Sequence, residues 1–124
     1  MLFKQRISES AEQITIFEWA AFCSGRRPEL NLLFHVPNGG ERSASEAGRF
    51  KAEGVKSGVP DLVLPVARSG YHGLYIELKA SDGVVSDKQE EWIDMLKQQS
   101  YYAAVCYGAD EAITTIENYL KGVF

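Results

Sequence analysis

Two cysteines, two histidines and four prolines are all that the 124 residues contain of those types, and each scarcity excludes something. Cys23 and Cys106 lie far apart among apolar neighbours. That supports neither a disulfide framework nor a thiolate metal site, and both read as buried, reduced thiols. The histidines do not pair at metal-ligating spacing: His35 sits in an apolar run and reads as core, His72 as loop surface. Long apolar runs are missing as well. The stretch from Val59 to Val66 is broken by Pro60 and Asp61, far short of the roughly 20 residues that a membrane helix needs. Charge arrives at Lys4 and Arg6 with no apolar segment and cleavage site behind it, so a cytoplasmic location and no membrane partner are expected. A basic excess is also lacking. The net charge is −4, which by itself leans away from a polyanionic partner. The distribution softens this, because residues 1–60 hold eight Lys and Arg against seven Asp and Glu, and residues 61–124 five against ten. An acidic half can be a metal-binding half.

What is present is an ordinary globular composition, 45% hydrophobic and 24% charged, enough for one domain with a core and too little for two. Ser8 to about Cys23 reads as a helix, with Ile7, Ile14, Phe17 and Ala21 recurring along one face. Leu32–Val36 is a short buried strand, broken by Pro37-Asn38-Gly39-Gly40. Ser43 or Ser45 caps a second helix reaching Glu53, with Glu46 in capping-box position and Gly54 as its stop. Val59–Val66 and Leu74–Ala80 are strands that pair as an antiparallel hairpin across a long loop. Ser86 to about Gln99 is a helix, Tyr101–Tyr107 a strand, and Ala109–Leu120 a closing helix carrying Ala112, Ile113, Ile116 and Leu120 on one face. The order αβαββαβα suits a mixed α/β sheet flanked by helices in three layers, a single domain over 1–124.

Chemistry concentrates on two strands. Tyr75, Glu77 and Lys79 share one face of the third strand while Ile76 and Leu78 share the other, so a charged pair looks out from an apolar element. Asp61 stands at the mouth of the preceding strand. If the two strands pair, Asp61 and Glu77 are cross-strand neighbours, and two close carboxylates are best stabilised by a hard cation such as Mg²⁺, with Lys79 beside it. The plainer alternative is a solvated strand face with Asp61 bonding the backbone. Lys56, between two glycines just ahead of Pro60-Asp61, suits a backbone phosphate as well as it suits solvent. Asn38-Gly39-Gly40 offers unobstructed N–H groups that fit a phosphate cradle, although a plain turn needs glycine too. Arg42, Arg49 and Lys51, interleaved with Glu46 and Glu53, read equally as a DNA-facing or a solvated helix face.

Taken together, Pro60-Asp61 and Glu77-Leu78-Lys79 follow the pattern of the PD-(D/E)XK nuclease superfamily. More of the chain agrees with one branch of it: Ser8-Glu9 with Gln13, His35-Val36-Pro37-Asn38-Gly39-Gly40, Gly54 through Leu62, Tyr75 through Lys79, and Ser86 with Gln89. In these residues the chain resembles a VRR-NUC domain, the virus-type replication-repair nuclease, and looks like the stand-alone kind that phages and bacteria carry.

The resemblance implies a restriction-endonuclease-like fold and metal-dependent cutting of DNA to a 5′-phosphate product. Asp61, Glu77 and the Leu78 carbonyl would hold one or two Mg²⁺ or Mn²⁺ ions, and Lys79 would serve the attacking water. It also implies that Glu9, on the stripe Gln13, Ile16 and Ala20, supports the metal, and that Gln89 acts in the site; a surface salt bridge and a capping box are their plainer roles. Branched DNA, four-way junctions above all, and a homodimer are the implied substrate and assembly. Phe3, Trp19, Tyr101, Tyr102 and Phe124 offer interface material or ordinary core. The competing classes are a non-catalytic nucleic-acid-binding module with this fold and a small Mg²⁺-binding interaction protein. The intact Asp-Glu-Lys set speaks against both, because a carboxylate pair repels phosphate when no metal is present.

Overall fold

The structure, a computed structural model, describes residues 7–37 and 43–124. Helix α1 (Glu9–Cys23) starts where Ser8 Oγ accepts the Ala11 N–H at 3.1 Å, with Glu9 and Glu12 in the first turn where the helix dipole favours anions. Its buried residues are Ile16 and Ala20. Of the face expected from periodicity, Ile7 and Ile14 are instead 59% and 57% exposed, and Ala21 is exposed too. Apolar residues run all round α1, so spacing alone could not choose between its two stripes.

The expected strand at Leu32–Val36 is mostly something else. Pro28 opens a 3-10 turn over Pro28–Leu32, where its fixed φ and missing N–H do no harm. Only Phe34–His35 remains as β1, an exposed edge strand, while Leu30 and Leu33 supply the buried side chains. Helix α2 (Ala44–Ala52) is capped by Ser43, whose Oγ accepts the Glu46 N–H at 3.2 Å. β2 shrinks to Leu62–Leu64, because Pro60 and Pro65 bracket it and neither can donate to a ladder.

β3 (Leu74–Lys79) is the central strand. It pairs antiparallel with β2 and parallel with β4 (Tyr102–Tyr107), giving the order β1-β2-β3-β4 in one mixed sheet. Helix α3 (Asp87–Gln98) makes the crossover between the parallel strands. Helix α4 (Ala109–Lys121) packs with α1 on the face carrying Leu62, Leu64, Ile76 and Leu78, against Ile16, Ala112, Ile116 and Tyr119. On the opposite face Ile93 and Leu96 of α3 meet Ala103, Tyr75 and Val105. The expected order and the three layers are both present. The Tyr119 hydroxyl, fully buried, donates to the Val66 carbonyl at 2.6 Å.

Candidate active site

Leu62 lies opposite Ile76 in the β2–β3 register, so one step further the antiparallel pairing brings Asp61 opposite Glu77. β2 has already ended at that point. The Asp61 carboxylate continues in its place, Oδ2 accepting the Leu78 N–H at 2.8 Å where a strand carbonyl would otherwise stand. Its own carbonyl oxygen accepts twice from β1 and the residue after it, from Val36 N–H at 2.7 Å and from His35 Nδ1 at 3.0 Å.

Glu77 is 2% exposed, and its Oε1 is buried with no hydrogen-bond partner. Oε2 lies 3.9 Å from Lys79 Nζ, too long for a hydrogen bond. Burial pushes the Glu77 carboxyl up to about 9, helped by its hydrogen bond to Asp61 and by that group's charge, against the weaker pull of Lys79. The metal-free pair therefore holds a proton at neutral pH. Lys79 is itself only 9% exposed. A Cβ on Gly83 would come within 3.0 Å of the Lys79 Cβ and Cδ, so glycine there lets the loop after β3 close over the ammonium stem. The pair is buried, against the alternative of a solvated strand face. Asp61, Glu77 and Lys79 meet at one spot at the end of the β2–β3 pairing, with Glu77 and Lys79 buried and Asp61 half-buried. Gly58 lies so close to the Lys88 backbone that an added Cβ would approach its carbonyl oxygen to 2.8 Å.

An orphaned carboxylate oxygen beside a second carboxylate is an acceptor set that a hard divalent cation satisfies, and both groups are oxygen donors of the type Mg²⁺ and Mn²⁺ prefer. The residues present fit such an ion.

The family model of the VRR-NUC domain matches residues 6–110. The chain belongs to the VRR-NUC family. A solved VRR-NUC domain protein is 35% identical, with a TM-score of 0.80 over 95% of this chain and 92% of that one. No curated protein matches. The family is nuclease-like, and the mixed sheet flanked by helices is its fold.

The remaining site residues of this VRR-NUC domain divide. Glu9 is exposed on its outer side, yet its carboxylate accepts from the Ala80 N–H and feels both Asp61 and Lys79. Partial burial first, and the Asp61 charge second, raise its pKa above the usual carboxylate value. Among the described residues no three His, Cys, Asp or Glu side chains form a metal-holding group, so Glu9 stands at the rim of the pair. Gln89 Oε1 accepts the Ser86 N–H at 2.9 Å while Ser86 Oγ accepts the Gln89 N–H at 3.2 Å, a complete capping box at the head of α3. Lys56 is exposed in the loop leading to Asp61. Asn38, Gly39 and Arg42, with Gly40, lie outside the described residues.

Two residues have roles that the sequence reading missed. His35, expected in the core, is exposed on the edge strand and bonded to Asp61; its position next to Val36-Pro37 at a strand end was the available signal. Glu12 accepts the Ala109 N–H and so caps α4, whose N-cap is Gly108 at φ +89° with no side chain to do so. Nothing local in the sequence marks that pairing across 97 residues.

Proposed function

We propose that this VRR-NUC chain is a Mg²⁺- or Mn²⁺-dependent endonuclease that hydrolyses phosphodiester bonds in DNA and leaves a 5′-phosphate. The observation that carries the reading is the buried, partnerless Glu77 Oε1 set between Asp61 and Lys79. Asp61, Glu77 and the Leu78 carbonyl would hold the ion, with Glu9 supporting it from the rim. When bound, the ion supplies Lewis acidity toward phosphoryl oxygens and acidifies a coordinated water.

This chain's own residues supply the rest. Glu77 would hold the ion as its carboxylate, its proton having been released to solvent. Lys79, screened from solvent, orients the attacking water and offsets negative charge on the phosphoryl group, where a low dielectric strengthens its effect. Gln89 would serve the site from α3 through its amide nitrogen while its Oε1 keeps the cap. Lys56 and the Asn38, Gly39 and Arg42 segment take backbone phosphates.

The substrate is branched DNA and the working form is a homodimer, in the cytoplasm, where the free thiols Cys23 and Cys106 stay reduced. Among the described residues, Ile7, Ile14 and Phe22, at 59%, 57% and 90% exposure, put uncovered apolar surface on α1 and just before it, and Val84 and Phe124, at 82% and 61%, put more elsewhere. Trp19, Tyr101 and Tyr102 pack into the core clusters, and Phe124 rests on Tyr71 and Tyr102. Incubation with linear and branched DNAs in Mg²⁺, in Mn²⁺ and in excess EDTA tests the reading: cutting with either ion and none in EDTA is expected, and unchanged cutting in EDTA overturns it.

A further inference from the structure

Asp61 carries two duties on a weakly held backbone. It lies outside β2, and the residue before it is Pro60, which has no N–H to anchor that turn of chain. β1, the strand alongside, is two residues long and at the sheet edge. The carboxylate meanwhile faces Glu77, and ionisation of both would drive them apart.

The one backbone group of Asp61 that is doubly held is its carbonyl oxygen. Val36 N–H and His35 Nδ1 reach it from adjacent residues, at 2.7 and 3.0 Å, and fill both of its lone pairs. Because a carbonyl can only accept, Nδ1 carries the hydrogen. His35 is exposed, so burial in the core does not account for it.

We propose that His35 is a positioning residue for Asp61. Its Nδ1–H and the Val36 N–H form a fork that fixes the Asp61 backbone, which in turn aims the carboxylate at Leu78 N–H and Glu77. Such outer partners tune the affinity of a site for its ion by holding a ligand in place. The metal readout below rests on the nuclease reading; the amide readout does not.

The test uses the full chain and three variants. In metal-free protein, His35→Ala is expected to speed hydrogen exchange at the Leu78 amide relative to the Ile76 amide on the same strand. Calorimetry is expected to show Mn²⁺ affinity falling about tenfold. His35→Asn places an N–H where Nδ1–H stood and restores most of both. His35→Gln places its donor near Nε2 and restores neither.

An unchanged Leu78 amide in His35→Ala overturns the proposal. So does restoration by Gln as complete as by Asn, which would move the role to Nε2. Equal acceleration of Ile76 and Leu78 also overturns it, since it would make His35 only a stabiliser of the sheet edge. If the unmodified protein takes up no Mn²⁺, the nuclease reading falls, and the amide comparison still decides the fork.

Discussion

On the proposed mechanism Lys79 and Asp61 act on different partners, the attacking water and the ion, and substitution separates them. Asp61→Ala removes an ion ligand and the acceptor of the Leu78 N–H, so Mn²⁺ binding and cutting are both expected to be lost. Lys79→Ala leaves the carboxylate pair in place. Cutting is expected to fall by a factor of at least about 100 while calorimetry still registers Mn²⁺; equal loss of the ion in both variants would reassign Lys79 to the metal.

Glu77 sets the pH response of the metal-free protein. Its folded-state pKa is raised above the ordinary value of 4.5 to about 9, so between those limits the folded chain binds a proton that the unfolded chain has released. The contribution of this group to stability is then full below pH 4.5 and declines as pH rises toward 9, by at most about 1.4 kcal/mol per unit. The upward push on Glu9 acts in the same direction. Thermal melts in EDTA from pH 5 to 9 should fall accordingly, and Glu77→Gln, which mimics the protonated form, should flatten most of the slope. A melting temperature that rises over that range in EDTA would contradict the buried protonated carboxyl.

The elements show what sequence could and could not tell. α3 was legible from its capping box and apolar period, α4 from the period of Ala112, Ile113, Ile116 and Leu120, and β3 from its two-residue alternation. The alternation in Tyr75–Lys79 also gave the Asp61–Glu77 apposition, since antiparallel register fixes it once two strands pair. What it could not give was burial: Glu77 and Lys79 look like a solvated face until Asp61 and Glu9 of α1 come beside them and the Gly83 turn closes on the Lys79 stem, and the first two come from distant parts of the chain. The edge strand failed for a local reason, the proline-led 3-10 turn that removed Leu32 from it. Gln89 tests whether an element's cap and the site can share one side chain. Glu is as good as Gln at the third position of a capping box, so Gln89→Glu should leave stability, followed by thermal melts, within about 0.5 kcal/mol of the unmodified chain. Cutting should nevertheless fall, because a carboxylate repels the phosphate that an amide can bind. Unchanged cutting would leave Gln89 with the cap alone.

At the scale of the whole molecule the difficulty is charge. A chain of net charge −4 has to approach a polyanion, and each phosphate it neutralises needs a cation to displace a counterion. Its basic residues are weighted toward the first sixty positions, with Arg49 and Lys51 on α2 and Lys56 in the loop after it, while on the proposed mechanism the acidic site would take up its own positive charge from the ion. One copy offers few contacts. Two copies related by a twofold axis present the same basic residues twice and two sites to two strands, an arrangement that the twofold symmetry of a four-way junction accommodates. The exposed Ile7, Ile14 and Phe22 put the apolar material for such an axis on the outer side of α1, away from the residues it buries. A dimer is therefore expected by light scattering at micromolar concentration, and four-way junctions are expected to be cut faster than a matched linear duplex. Phe22→Glu, on a residue 90% exposed that the fold does not need, should yield a folded monomer that retains Mn²⁺ binding and loses the junction preference. If Phe22→Glu stays dimeric, the axis does not run along α1; if the unmodified chain is a monomer cutting both DNAs equally, dimer and junction preference fail together and the metal-dependent nuclease stands without them.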